Sequence, residues 1–120
     1  QSAHVVRRAS GRADWRAILG LYEVLAIIAP SPVVTINRAV ALAEAGGAEA
    51  GLSALVGMED DTHLASYQPY WAAKAELFAR VGRQAEAANA YDRAIGLEPD
   101  AAVRAFLQGK RMALNPEEPS

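Results

Sequence analysis

The chain has no cysteine, so it has no disulfide framework, no thiol nucleophile and no cysteine-based zinc site. It also lacks a dominant charge. A net charge of −2 and an isoelectric point near 5.7 argue against a general polyanion binder. The twelve Lys and Arg residues run from Arg7 to Arg111 and are interleaved with acids, leaving no basic stripe. The longest apolar run, Val24 to Pro30, is too short to span a bilayer. The expected location is therefore the cytoplasm, which also suits the missing cysteines. Val, Ile and Thr are scattered without alternation, so strands are not expected. The chain opens at Gln1 with no initiating methionine and nothing like a signal peptide, which suggests a segment of a longer protein.

What is present is helical. At 120 residues the chain fits one domain with a modest core, and much of its 52% hydrophobic content is alanine. Trp15, Ile18, Leu19, Tyr22, Leu25 and Ala26 form one stripe at helical period, predicting a helix over 14–29 with Asp14 as N-cap and Pro30 as stop. Ser31 caps a second helix, 32–45, with Pro32 at its first position and Gly46-Gly47 at its end. A short helix follows at 48–56, weakened by glycine. The polar stretch 57–66 reads as a linker plus the frayed start of the next helix. Further helices are expected at 70–81, 84–97 and 101–114, the last with Val103, Phe106, Leu107 and Leu114 facing inward. Residues 1–13 read as the remnant of a preceding helix, 14–114 as the helical domain and 115–120 as a disordered tail.

The stretch "GRQAEAANAYDRAIGLEPD" poses the central question, because a Gly-Arg turn before a helix can seat a phosphate. A phosphate loop needs more glycine, a Lys-Ser/Thr pair and a preceding strand, and none is there. The stretch instead completes a repeat. Trp71, Ala75, Phe78, Gly82, Ala87, Tyr91, Ala94 and Pro99 resemble the large–small–turn–small–large–stop order of the tetratricopeptide (TPR) motif. Lys74 stands where that motif usually has leucine. A fainter copy lies 36 residues upstream, in Thr35, Ala39, Leu42, Gly46, Gly51 and Leu55. Tyr22 and Pro30 match the second helix of a still earlier unit. The expected architecture is all-α, with about 6 helices in TPR-like antiparallel hairpins stacked as a short right-handed solenoid. Paired helices approach to about 8–10 Å only where one side of the seam is small.

Candidate chemistry is sparse. Glu59-Asp60-Asp61 with His63 has metal-ligand residue types but sits in a linker without a second His nearby, which favours a solvated loop and an N-cap. It is the only basis for a third reading, a small hydrolase or metal enzyme. The serines lack the strand-turn-helix setting of a nucleophile elbow. Glu86 and Asp92 fall on different helix faces and cannot act as a carboxylate pair. No enzymatic activity, cofactor or metal is expected. The candidate interaction residues are Asn37, an amide on an otherwise apolar face, its neighbour Arg38, and Tyr67 and Tyr70. Asn37 reads either as a buried structural amide or as a contact in the groove of stacked repeats. A carboxylate clamp there is disfavoured, because Pro69, Ala72 and Ala73 of the second repeat bring no cations. Trp15, Trp71 and Tyr91 belong to helix seams, so no nucleic-acid stacking platform is built, and Tyr67 and Tyr70 are more in keeping with core or rim. Arg80, Arg83, Arg104, Lys110 and Arg111 give a mildly basic, solvated face.

The string "DWRAILGLYEVLAIIAPSPVVTINRAVALAEAGGAEAGLSAL", with "YWAAKAELFARVGRQAEAANAYDRAI" and "RAFLQGKRMAL", is more specific than a generic repeat. Across about residues 12–114 it resembles the C-terminal, TPR-like region of bacterial extracytoplasmic-function-type RNA polymerase sigma factors. Asp14-Trp15, Leu21-Tyr22, Pro30-Ser31-Pro32-Val33-Val34, Asn37-Arg38-Ala39-Val40 and Gly82-Arg83 carry most of the likeness. Lys74, where arginine is expected, and Glu98-Pro99-Asp100 depart from it. The resemblance implies a regulatory or protein-contact extension acting in transcription initiation. Its partners would be its own sigma regions, RNA polymerase or a regulator, with DNA contacted only through regions upstream of residue 1. The alternative is a free-standing TPR adaptor that binds a peptide in its concave groove.

Overall fold

A computed structural model describes residues 14–114. The expected helix remnant at 1–13 and tail at 115–120 lie outside the described residues. Within them the chain is all-helical, with no strand. Seven α-helices follow one another: α1 (Trp15–Ile28), α2 (Pro32–Gly46), α3 (Ala48–Leu55), α4 (Thr62–Ala65), α5 (Gln68–Arg80), α6 (Gln84–Leu97) and α7 (Ala101–Met112). None is long and apolar enough to cross a membrane, among the described residues.

The starts of α1, α2 and α7 are set by side chains that accept from otherwise unpaired backbone N–H groups. Asp14 accepts from Ala17 N at 3.2 Å, Ser31 from Val34 N at 3.2 Å, and Asp100 from Ala102 N at 2.8 Å. The α5–α6 turn is closed by the backbone. Gly82 has φ 84°, its N–H bonds to Ala79 O, and Arg83 N–H reaches back to Phe78 O at 2.9 Å. This paired closure needs a residue in the left-handed region, where a side chain is strained. The Gly82 expected from the repeat therefore has a geometric cause.

The linker 57–66 is more ordered than expected. It holds a 3-10 turn, Met58–Asp60, and the four-residue α4. A helix this short has little stability of its own. Leu64, fully inside the core, anchors it, and Asp61 caps it by accepting from His63 N. Helix α5 also begins two residues before the expected 70, because Pro69 in its first turn loses no needed hydrogen bond.

The most extensive pairings are α5 with α6, α2 with α3, and α1 with α2; α2 and α3 then rest on α5, and α7 on α6. The connections within these pairs are short, a single residue (Gly47) between α2 and α3 and 81–83 between α5 and α6. The repeat positions sit where the seam needs them. Ala75, Ala87 and Ala94 are fully buried, with Trp71, Phe78 and Tyr91 beside them, while Pro99 lies just beyond the end of α6. In the upstream stretch the turn with positive φ falls on Gly47, not on the expected Gly46. Ala39 and Leu55 are fully buried, and Gly51 is buried against α2. A Cβ added at Gly51 would lie 2.5 Å from Ala39 O and 2.7 Å from Ala43 Cβ. The glycine that weakens α3 as a helix is what lets it approach α2.

One expected inward residue is corrected. In α7, Leu107 is buried and Val103 packs on the core, as does Leu114 just beyond the helix, but Phe106 is 65% exposed. The covered stripe of α7 is narrow, since that helix rests chiefly on α6, and Phe106 falls beside it.

Two substitutions test the seams by denaturant unfolding. Gly51→Ala is expected to destabilise by roughly 1–3 kcal/mol, although alanine is the better helix former by about 1 kcal/mol. Ala87→Leu is expected to lose a similar roughly 1–3 kcal/mol by overpacking. Wild-type stability in either would contradict close helix pairing.

Candidate functional site

The four candidate interaction residues do not form one surface. Tyr70 is a correction: it is wholly buried, and its hydroxyl donates to Leu55 O at 2.7 Å. This bond ties α5 to the end of α3, so Tyr70 cannot meet a partner. Tyr67 is half-buried and packs on the same core. Asn37 is half-buried, and its amide makes no hydrogen bond among the described residues, so it does not act as a structural tie. Arg38 turns toward α1 and lies 3.7 Å from Glu23 in a half-exposed ion pair.

On the expected basic face, Arg80, Arg83, Lys110 and Arg111 pair with acids, whereas Arg104 bonds backbone carbonyls. Arg80 bonds Glu44 at 3.1 Å and Glu76 at 3.2 Å, bridging α2 and α5. Partial desolvation opposes its charge, but the bonds and charges of those two acids hold its pKa above the ordinary arginine value. Arg83 grips Glu86, Arg111 grips Asp92, and Arg104 donates to Glu98 O and Pro99 O. Lys110 lies 3.7 Å from Glu76.

Within the His63 cluster, Asp61 serves as a cap. His63 is exposed, and its Nδ1 is 3.5 Å from the Asp61 carboxylate that caps α4. Among the described residues no three His, Asp or Glu side chains gather as metal ligands. A cavity of about 220 Å³ separates Asp61 and His63 from the Pro30-Ser31-Pro32 turn.

Two features stand out that sequence reasoning missed. The first is the outer face of α1. Its expected stripe, Trp15 through Ala26, is the half-buried side. On the opposite side Leu21, Val24, Ile27 and Ile28 are exposed, the last two at 81% and 70%. Helical spacing groups these four within one third of the circumference. A helix that is apolar on both sides is one that expects cover on both. The signal was present in "LYEVLAII", where apolar residues outnumber what a single stripe needs.

The second is an aromatic groove between α5 and α6, with a volume of about 500 Å³. Lys74, the departure from the repeat, is buried at 4% exposure. Its Nζ lies 4.6 Å from the Trp71 ring centroid, 5.2 Å from Tyr70 and 5.9 Å from Phe78. Its stem fills the place of a leucine while its charge meets three ring systems. Arg93 Cζ, on α6, lies 4.5 Å from the centroid of the same Trp71 ring. Trp71 is itself fixed, by an indole N–H bond to Ala65 O at 2.8 Å and an edge-on contact with Tyr70.

Comparison with known proteins adds little chemistry. No protein-family model matches the chain, and no solved structure matches it. It is 39% identical over 95 residues to an uncharacterized protein of Rhizobium meliloti (strain 1021), an alignment covering 79% of this chain and 22% of that protein. The chain thus spans under a quarter of the length of the curated relative it matches.

Thermal unfolding separates the two kinds of residue. Tyr70→Phe leaves the Leu55 carbonyl without its buried donor and is expected to lose roughly 1–3 kcal/mol. Asn37→Leu is expected to stay within about 0.5 kcal/mol of wild type. A large loss in Asn37→Leu would make the amide structural after all, and an unchanged Tyr70→Phe would deny the α3–α5 tie.

Proposed function

We propose that this chain is a TPR-like protein-interaction module, the regulatory extension of an alternative RNA polymerase sigma factor. In this reading it acts in transcription initiation by contacting its own sigma regions, polymerase or a regulator. Its helical hairpins stack as a short right-handed solenoid, a form that offers surfaces and needs no catalytic set. The burial of both sets of small seam residues supports the repeat, and the "PSPVV…NRAVA" resemblance supports the transcriptional setting.

The observation that carries the proposal is the uncovered outer face of α1. Scattered surface hydrophobics need no explanation, but four aligned on one helix mark a contact site. The face lies on the first described helix, next to the part of the chain that leads toward residue 1. The curated relative is far longer than this chain, so similar sequence does occur within a larger polypeptide. In our reading the outer face of α1 docks on that larger body, and the repeat behind it holds α1 in place.

The test uses the polypeptide encoded in frame upstream of residue 1. Residues 1–120 should bind it in calorimetry, and Leu21→Ser with Ile28→Ser should weaken binding by about tenfold or more. The melting temperature of residues 1–120 should not fall. An upstream polypeptide without sigma regions would contradict the transcriptional part. A deletion of residues 1–120 that leaves promoter-dependent transcription and its regulation unchanged would contradict the regulatory part.

A further inference from the structure

We infer that the recess where α5, α6 and the end of α7 meet binds a small uncharged molecule carrying an amide on a short aliphatic chain. The recess has a volume of about 270 Å³ and is bordered by Glu76 and Arg80 of α5, Tyr91 of α6 and Lys110 of α7. Ala79 and Leu114 supply its apolar wall.

The Tyr91 hydroxyl points to a ligand. The residue is only 3% exposed, yet its hydroxyl makes no hydrogen bond among the described residues. The other deeply buried tyrosine, Tyr70, donates to Leu55 O at 2.7 Å. Among the described residues no wholly buried side-chain oxygen or nitrogen lacks a partner, so the Tyr91 hydroxyl keeps a small opening, and it borders this recess. A phenol almost shut off from bulk water and still unbonded is short of an acceptor. Water can enter the recess, but a ligand that meets both the hydroxyl and the apolar wall gains by displacing it.

The ionic groups around the hydroxyl select against charge. Glu76 bonds Arg80 at 3.2 Å and lies 3.7 Å from Lys110, and Arg80 also bonds Glu44 at 3.1 Å. Two acids thus balance two cations, and no surplus charge is left for an ion. Burial, followed by the charge of Glu76, raises the Tyr91 pKa, which keeps the phenol protonated and able to donate. The same carboxylate repels an anion, while Arg80 and Lys110 repel a cation. Lys110 lies beyond hydrogen-bond distance of Glu76, so its ammonium keeps N–H groups available. An amide oxygen can accept from Tyr91 and Lys110, and an amide N–H can donate to Glu76. Its aliphatic chain then lies on Ala79 and Leu114. The volume is below that of pockets for drug-sized molecules, which limits the ligand to a few heavy atoms.

The probe is butyramide, titrated into isotope-labelled residues 1–120 and followed by backbone amide chemical shifts. It should saturate with about millimolar affinity, as so few atoms allow, with shifts centred on Glu76, Tyr91 and Leu114. Butyrate and butylammonium, similar in size but charged, should bind about tenfold or more weakly. Tyr91→Phe should weaken butyramide by a similar factor and melt like wild type, because the hydroxyl it removes has no bond within the fold. Arg16→Ala, on α1, should change nothing. Absence of saturable binding, equal or tighter binding of either charged analogue, or undiminished binding by Tyr91→Phe would overturn the site. A lower melting temperature for Tyr91→Phe would mean that the hydroxyl is bonded within the fold, and would overturn it too. The recess is built on other helices than the α1 face, so none of these results bears on that face.

Discussion

Close approach of paired helices is the constraint from which the rest of this structure follows. An alanine-rich chain buries little area per residue, so it gains cohesion only if its backbones come near enough for many small contacts. Ala39 facing Gly51 sets that distance in one hairpin, and Ala75 and Ala87 are buried in the other. Once the seams are closed, the large residues have fixed places. Leu55, Tyr70, Trp71, Phe78 and Tyr91 fill the spaces beside the small ones, and the Tyr70 hydroxyl locks one hairpin to the next through Leu55 O. Burial, followed by the charge of Glu76, raises the Tyr91 pKa and keeps that phenol neutral within the packing.

The same constraint explains which surfaces remain for other molecules. The first and last described helices each rest chiefly on one neighbour, which leaves their other faces exposed. At one end this leaves Leu21, Val24, Ile27 and Ile28 of α1, and at the other Phe106 and Met112 of α7. On α5, Lys74 is buried with its Nζ 4.6 Å from the Trp71 ring centroid.

Much of the fold was legible because it rests on local rules. Caps at Asp14, Ser31 and Asp100, the positive φ of Gly82 and the small–large alternation of the seams each leave a mark at fixed spacing. What was not legible depends on partners remote in sequence. The helix around Leu64 exists because the core receives that side chain, not because "THLA" favours a helix. The exposure of Phe106 reflects the lack of a covering helix among the described residues, which no pattern in α7 itself records. Lys74 looked like a lapse in a motif, since a cation's fit among rings from neighbouring turns is read only from their arrangement in space. Tyr70 is tied into the interior by Leu55, fifteen residues away in sequence and a hydrogen bond away in space.

The most direct measurement of this account is a nuclear Overhauser spectrum of residues 1–120, read at Gly51. Helices nested through small residues predict strong cross-peaks from the Gly51 α-protons to the Ala43 methyl group, together with a slowly exchanging Gly51 amide. Absent cross-peaks with a rapidly exchanging amide would mean that α2 and α3 do not close on each other, and the proposed seams would have to be abandoned.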